Sequence, residues 1–202
     1  MTPGESPDSW SAIAAWRRGL RTELIARREG VALVRRRAVD AGINALLEQA
    51  LPSLAEGVIA FCWPYRGEVD VRFAIRAWRG RGATAALPEV AGKGRPLRFR
   101  RWWPGVAMVP GALGIPTPAG TDVVVPGAAL VPLVGFDGAG FRLGYGGGYF
   151  DRTLAACARR PLTVGVGTEA GVHAVVDGAL VPMPAAAAAA HAAALTVRVN
   201  SP

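Results

Sequence analysis

The sequence predicts a single α/β domain, 1–202, with a mostly parallel sheet covered by helices on both faces. A length of 202 residues, 51% of them hydrophobic, is enough for one buried core. Short apolar runs alternate with segments of helical spacing, which is typical of a parallel sheet. A glycine-rich stretch from Phe136 to Asp151 follows one of these runs. Ligands of such sheets bind at the carboxyl ends of the strands, so we expect the ligand site where this stretch leaves the sheet.

Helical spacing and end signals predict three helices before residue 80. In the first helix, apolar side chains recur three or four positions apart from Ile13 onward. Ser9 or Ser11 can cap this helix, and Gly30 can end it. The second helix ends before Pro52, which cannot continue it. The predicted helices cover 12–29, 33–50 and 70–79, and a fourth follows the glycine-rich stretch at 152–160.

Short runs of apolar and β-branched residues predict the strands, at 58–62, 84–88, 97–103, 122–125, 129–134 and 162–167. Residues 104–121 are predicted as a loop, in which prolines hold 115–118 extended. A run of alanines fills 185–194 and is interrupted only by His191.

The composition narrows the class of protein. The formal net charge of +8 invites a nucleic-acid-binding hypothesis, but the arginines are spread along the chain, and most are better explained as solvated helix faces. Cys62 and Cys157 have no metal-ligand spacing, so we expect small buried thiols in a reducing compartment. Neither a signal peptide nor an apolar run of membrane-spanning length is visible. We therefore expect a cytoplasmic monomer that binds neither a membrane nor a specific nucleic acid.

The glycine-rich stretch is typical of a phosphate site. A strand, a glycine-rich turn and a helix start follow one another, and glycines allow backbone amides to approach an anion closely. Asp151 stands where a carboxylate could hold a magnesium ion against the phosphates, although it could also be only a helix cap. The glycines could form a bare tight turn, but six between Phe136 and Asp151 exceed what a turn needs.

Two common phosphate motifs do not fit this stretch. A Walker A loop requires a lysine before Ser or Thr, and the chain's one lysine is Lys93, in the sequence GKGR. A dinucleotide fingerprint requires a third glycine where Tyr149 stands, and it belongs near the first strand of the sheet rather than late in the chain.

The sequence RLGYGGGYFD, from Arg142 to Asp151, resembles the signature of the 5-formyltetrahydrofolate cyclo-ligase family. Three segments upstream are similar to family motifs in the same order: 67–70 (GEVD), 86–88 (ALP) and 114–116 (GIP). Arg17 and Arg21 resemble the basic start of the family's first helix, although alone they would be interpreted as solvated charges. Glu68 could likewise be an ordinary acid at a helix start, and the resemblance favours a site role for it.

The resemblance implies a reaction and its cofactors. Family members use ATP and magnesium to convert 5-formyltetrahydrofolate into 5,10-methenyltetrahydrofolate, with release of ADP and phosphate. Phosphorylation of the formyl oxygen makes the carbon electrophilic and supplies a leaving group, after which N10 attacks. Such a reaction needs positioned phosphates, cations against developing charge and a carboxylate near the pterin nitrogens.

The resemblance also implies the site residues. Glu68 and Arg142 are implied to be catalytic, and Asp151 to bind magnesium. The reduced folate is implied to contact Glu68, Leu113, Tyr145 and Tyr149. The ATP-binding residues are implied to be Arg17, Arg21, Arg142, Gly144, Gly146, Gly147, Gly148, Tyr149 and Phe150.

Two departures from the family pattern keep an alternative open. Alanines at 187 and 188 stand where the family carries a His-Asp pair whose aspartate contributes to the metal site, and Leu113 replaces a frequent aromatic. The alternative is a family paralogue that binds nucleotide or folate without turnover. Other residues receive no site role: Asp137 is interpreted as a turn residue, Trp102 and Trp103 as strand packing, and His173 and His191 are left unassigned.

Overall fold

The computed structural model describes residues 10–136, 142–168, 174–176, 179–181 and 195–200. Four α-helices lie in these ranges: α1 (Trp10–Glu29), α2 (Leu33–Ala50), α3 (Arg72–Gly80) and α4 (Tyr149–Ala156). Two short 3-10 helices cover Pro52–Glu56 and Ala112–Gly114. In this part of the chain, no helix has the length and apolar character needed to cross a membrane.

The described strands form one large sheet and two hairpins. The large sheet has eight strands: β1 (Val58–Ala60), β2 (Thr84–Val90), β3 (Leu97–Trp102), β6 (Ala128–Pro132), β9 (Leu162–Thr168), β10 (Ala174–Val176), β11 (Ala179–Val181) and β12 (Leu195–Asn200). The hairpins pair β4 (Met108–Pro110) with β5 (Pro116–Pro118), and β7 (Gly135–Phe136) with β8 (Arg142–Leu143).

The centre of the large sheet is parallel. Its strand order is β11-β10-β12-β9-β6-β1-β2-β3, and β9, β6, β1 and β2 run in the same direction. Antiparallel pairing occurs outside this centre, between β2 and β3, β9 and β12, and β10 and β11. The predicted mostly parallel sheet is therefore confirmed.

Helices cover both faces of the sheet. On one face Ile59 and Leu130 contribute to a large apolar cluster with α2 and α3, in which the Trp78 side chain is completely buried. On the other face the neighbouring residues Ala60 and Ala129 belong to a smaller cluster, against which Phe150 of α4 packs. Successive strand residues point to opposite faces, so each central strand is buried on both sides. The predicted two-sided cover is confirmed.

One side chain ties α4 to the edge strand of the sheet. The buried Thr153 hydroxyl donates a hydrogen bond of 2.7 Å to the carbonyl of Tyr149 and accepts one of 2.8 Å from the backbone N–H of Leu97. The start of α4, which follows the glycine-rich loop, is thereby fixed against β3.

Trp102 serves in packing, as the sequence predicts. Its side chain is buried, and its ring meets that of Phe61 edge to face, with 5.2 Å between the ring centroids. The ring of Trp63 approaches it at 6.3 Å from another side. The expectation of strand packing is wrong for Trp103, which is 39% exposed and lies just after the end of β3.

Four further expectations need correction. Residues 104–121 are not all loop, because they contain the β4–β5 hairpin. Residues 122–125 do not form a regular strand: the segment makes one β-bridge, Val123 to Arg100, beside β3. The last predicted helix begins earlier and is shorter, covering Tyr149–Ala156. Cys62 and Cys157 are free but only partly buried. Asp137, His173 and the alanine run 185–194 lie outside the described residues.

Candidate active site

Two loops that leave the parallel strands meet beneath α1. The first follows β1 and carries residues 61–68; the second follows β6 and continues through the β7–β8 hairpin into the glycine-rich loop, 144–148. Both leave the carboxyl ends of their strands, where ligands of parallel sheets bind. α1 reaches both loops through two arginines, Arg21 and Arg28. The structure therefore assembles the candidate site at the edge that the sequence predicts.

The glycine-rich loop adopts backbone conformations that favour glycine. Gly146 has φ +89° and Gly148, the residue before α4, has φ +61°. A Cβ atom at Gly146 would lie 3.3 Å from the Arg21 guanidinium, and one at Gly147 would lie 2.9 Å from the Tyr149 ring. The loop backbone can therefore pass close to the side chains of Arg21 and Tyr149 only because residues 146 and 147 are glycines.

Three arginines surround this loop. The Nε of Arg21 donates a hydrogen bond of 2.6 Å to the carbonyl of Gly144, and Nη2 of Arg152 donates one of 2.6 Å to the carbonyl of Gly147. Arg142 pairs with Asp151 in the first turn of α4. Arginine forks and the positive end of a helix dipole both attract phosphate. The surroundings of the loop are therefore positively charged.

Arg17 lies one helical turn before Arg21 on α1. Its side chain is exposed, and it makes no hydrogen bond or ion pair with the residues that the structure describes. Residues four apart share one face of a helix, so Arg17 extends the basic face that begins at Arg21.

Asp151 meets part of the requirement for a magnesium site. Its side chain is 72% exposed at the start of α4, and one carboxylate oxygen is bound to Arg142. Within the described ranges, no group of three or more His, Cys, Asp and Glu side chains could hold a metal ion. Magnesium accepts one carboxylate together with phosphate oxygens and water, so the donor set fits an ion that binds with a nucleotide.

Glu68 is the buried carboxylate of the site. It is only 7% exposed, and its Oε2 accepts a hydrogen bond of 3.0 Å from the backbone N–H of Tyr65. Its Oε1 is buried and has no hydrogen-bond partner among the described residues. Burial raises the pKa of Glu68, against the opposing effects of the Arg28 charge, of the nearby Tyr145 hydroxyl and of the Tyr65 N–H. A buried acceptor without a partner marks a place for a ligand.

A small cavity lies beside this carboxylate. It has a volume of about 10 Å³ and is lined mainly by apolar side chains, with Cys62 and Glu68 as the polar contributors. Burial raises the pKa of the Cys62 thiol, and the charge of Glu68 adds to this effect, so Cys62 stays protonated.

Arg28 is a buried residue next to the candidate site that the sequence interpretation missed. Most arginines of α1 and α2 are exposed, as expected, but Arg28 is an exception and is only 7% exposed. It donates hydrogen bonds to the carbonyl of Arg66 (2.9 Å), to the carbonyl of Leu133 (3.3 Å) and to the hydroxyl of Tyr145 (2.5 Å). Its spacing of seven from Arg21, which places both on one helix face, is the signal that could have found it.

Tyr145 connects the glycine-rich loop to Glu68. Its ring lies against that of Tyr65, with 5.8 Å between centroids, and its hydroxyl accepts the bond from Arg28. Burial raises the pKa of Tyr145, and the charge of Glu68 raises it further. The structure thus brings Glu68 and Tyr145 together, as the assignment to one substrate requires.

Two other predicted site residues have different surroundings. Leu113 is 75% exposed at the turn of the β4–β5 hairpin and has φ +57°, which is unusual for a leucine. Phe150 lies at the start of α4 with its ring packed against the smaller apolar cluster. No described contact joins Leu113 to Glu68 or to the glycine-rich loop.

Arg72, the first residue of α3, contacts the loop after β1. The Arg72 guanidinium lies 4.5 Å from the centroid of the Trp63 ring and forms an ion pair of 2.6 Å with Asp70. The ring and the two charges hold each other in place at the beginning of α3.

Comparison with known proteins identifies the family. A sequence model of the 5-formyltetrahydrofolate cyclo-ligase family matches residues 13–176, most of the chain. The chain belongs to this family. The predicted resemblance is confirmed, and with it the enzyme class, a cyclo-ligase, at the level of the family.

Solved structures agree with this assignment at the level of the fold. The 5,10-methenyltetrahydrofolate synthetase of Aquifex aeolicus is 24% identical with a TM-score of 0.65, over 91% of this chain and 92% of that chain. The synthetase of the same name from Mycoplasma pneumoniae is 24% identical with a TM-score of 0.61, over 75% and 84%. No curated protein matches the sequence significantly.

Proposed function

We propose that this protein converts 5-formyltetrahydrofolate into 5,10-methenyltetrahydrofolate with ATP and magnesium, and releases ADP and phosphate. One observation carries the proposal: an arginine-lined glycine loop and a buried carboxylate with an unpaired oxygen lie at the same sheet edge, connected by Tyr145. The reaction needs both a phosphate site and a carboxylate for the pterin. Membership of the family supports their combination in this chemistry.

The glycine-rich loop is the proposed ATP site. Arg21 and Arg142 lie beside the loop and can offset negative charge that develops during phosphoryl transfer. Arg17 extends the same basic face outward. The proposed nucleotide-binding residues are Arg17, Arg21, Arg142, Gly144, Gly146, Gly147, Gly148, Tyr149 and Phe150; of these, Phe150 contributes by anchoring α4.

Asp151 is the proposed magnesium ligand. A bound magnesium ion would neutralise phosphate charge next to the glycine-rich loop. Asp151 now holds Arg142 through one oxygen, so the carboxylate would share its two oxygens between the arginine and the cation. Before magnesium binds, the ion pair with Arg142 would hold the Asp151 carboxylate next to the loop.

Glu68 is the proposed anchor for the reduced folate. Its unpaired Oε1 can accept a hydrogen bond from a pterin N–H, which holds the reacting nitrogens next to the phosphates. Tyr145 belongs to the loop and its hydroxyl lies near this carboxylate, and Tyr149 follows the loop at the start of α4, so both are proposed to contact the substrate. Leu113, exposed on its hairpin, is proposed to cover the folate from outside. We also propose that the protein acts as a cytoplasmic monomer and that residues 1–202 form one domain.

The second candidate is a family member that binds these ligands without turnover. It is favoured by one observation: among the described residues, Asp151 is the carboxylate at the glycine-rich loop, and it is paired with an arginine. Binding of ATP and folate is common to both candidates, whereas formation of the methenyl product is expected of the ligase alone.

A turnover assay tests the proposal. Purified protein with ATP, magnesium and 5-formyltetrahydrofolate should produce the near-ultraviolet absorbance of the methenyl product, and omission of ATP should abolish it. The Glu68→Gln variant should lose about 100-fold or more of the turnover, because the anchoring charge is removed. Intact nucleotide binding without any methenyl product would support the second candidate and reject the first.

A further inference from the structure

We infer that Arg28 is a positioning residue that couples the nucleotide loop to the substrate carboxylate. This inference rests on the proposed function and assigns to it a residue outside the proposed ligand-binding set. The hydrogen bonds of the Arg28 side chain reach none of the glycines of the glycine-rich loop. It acts through Tyr145 and through the loop that carries Glu68.

The burial of Arg28 sets it apart from the other arginines of α1. Arg17, Arg18 and Arg27 are exposed, whereas Arg28 is 7% exposed. Removing a guanidinium from water is costly unless hydrogen bonds and an opposite charge compensate. Such a buried charge needs several hydrogen-bond acceptors, and Arg28 has three.

The acceptors of Arg28 lie on three separate segments. Nε bonds the carbonyl of Arg66 after β1, Nη1 bonds the carbonyl of Leu133 after β6, and Nη2 bonds the Tyr145 hydroxyl in the glycine-rich loop. A planar guanidinium carries its donors at fixed angles, so it fixes its acceptors relative to one another. A lysine in this position has one ammonium group and cannot reproduce the fork.

The Tyr145 hydroxyl completes the connection to Glu68. Because it accepts a hydrogen bond from Arg28, its own proton is directed elsewhere. The nearby carboxylate of Glu68 has a buried oxygen without a partner, and its charge acts on Tyr145. Arg28 therefore orients the hydroxyl that stands between the nucleotide loop and the folate anchor.

Coupling between the two ligands follows from this geometry. A nucleotide that orders the glycine-rich loop also orders Tyr145, and with it the surroundings of Glu68. The second ligand then binds a site that is already arranged. In the wild-type protein, a non-hydrolysable ATP analogue should tighten 5-formyltetrahydrofolate binding by about ten-fold, within the usual range of such couplings.

Isothermal titration of each ligand, alone and with the other present, tests the inference. Arg28→Lys should keep both single-ligand affinities within about three-fold and lose most of the coupling. Tyr145→Phe should also lose the coupling, and the double variant should lose no more than either single variant, because both interrupt one connection. Arg27→Lys, next to Arg28 but exposed, is the matched control and should keep the wild-type coupling.

The inference would be overturned by a wild-type protein without coupling, or by an Arg28→Lys variant that retains it. A parallel fall in melting temperature and in both single-ligand affinities would also reject it, because it would assign Arg28 to the scaffold alone. The proposed function has a separate readout. Absence of methenyl product from the wild-type protein rejects the function, whereas the coupling is measured without turnover.

Discussion

The Nε atom of Arg21 donates a hydrogen bond of 2.6 Å to the carbonyl oxygen of Gly144. This bond fixes the first residue of the glycine-rich loop to α1, although the two residues are 123 positions apart. The remaining guanidinium nitrogens of Arg21 lie close to Gly146. One side chain thus shapes the loop and brings a positive charge to it.

Replacement of Arg21 should weaken nucleotide binding. Arg21→Met keeps a long apolar stem but removes the charge and the hydrogen bond, so ATP affinity should fall about ten- to a hundred-fold. Isothermal titration with ATP and magnesium measures the effect. Arg35→Met on α2 is the control, because Arg35 is exposed and its side chain makes no hydrogen bond or ion pair within the described ranges. Equal ATP affinity in both variants would show that Arg21 has no role at the nucleotide.

Replacement of Gly146 by alanine should disturb the loop in two ways. Its φ of +89° costs an alanine about 1 kcal/mol, and the added Cβ would lie 3.3 Å from the Arg21 guanidinium. The variant should lose stability and bind ATP more weakly. Gly105→Ala separates the two effects, because Gly105 has φ +87° but a Cβ atom added there would meet only open space. If both variants bind ATP as the wild type does, the contact with Arg21 is irrelevant to binding.

Asp151→Asn should change the magnesium dependence more than the stability. The ion pair with Arg142 is largely exposed on the aspartate side, and exposed pairs contribute about 0–1 kcal/mol. The loss of a negatively charged ligand should shift half-maximal activity to about ten-fold more magnesium or further. Titration of magnesium in the turnover assay measures this shift. Glu23→Gln removes another exposed partner of an arginine and serves as control. An unchanged magnesium dependence would reject the ligand role of Asp151.

The stability of the protein should depend on pH through Glu68. Burial raises the pKa of this carboxyl above its ordinary value of 4.5. The folded state therefore favours the protonated carboxyl. Protonated Glu68 contributes to the stability of the fold below pH 4.5, and this contribution is lost as the pH rises through the pKa of Glu68 in the folded state. Glu68→Gln cannot ionise, so the variant should gain stability relative to the wild type as pH increases from 4 to 7 (about the range in which carboxyls titrate).

Urea denaturation of both proteins across this range measures the difference. Because the difference in the free energy of unfolding is followed as a function of pH, any effect of the substitution on Arg28 that does not depend on pH cancels. The exposed Glu23→Gln variant should show a nearly flat difference from the wild type. A Glu68→Gln difference that is equally flat, or that changes in favour of the wild type, would contradict a raised pKa.

The sequence was sufficient for much of the fold because local signals agreed with the tertiary structure. The second helix covers 33–50 as predicted, since Pro52 and helical spacing define its end. The β4–β5 hairpin was not predictable in the same way. Its strands are short and proline-rich, and the turn places Leu113 in a left-handed conformation that leucine rarely adopts.

Site residues that belong to a sequence motif were predictable, whereas a residue whose role depends on its burial was not. The glycine-rich loop and Glu68 stand in recognisable patterns, and the structure brings both to one edge of the sheet. Arg28 shares a helix face with Arg21, but nothing else in the sequence distinguishes it from the solvated arginines of the same helix. Only the tertiary structure supplies the acceptors on three other segments that make its burial tolerable.

The stoichiometry of turnover tests the central claim most directly. Methenyl product, followed by its absorbance, and inorganic phosphate are measured together in one reaction with ATP, magnesium and 5-formyltetrahydrofolate. The account predicts equal amounts of both products, with neither formed when the folate or ATP is omitted. Binding of both ligands without methenyl product, or phosphate release that is independent of the folate, would contradict it.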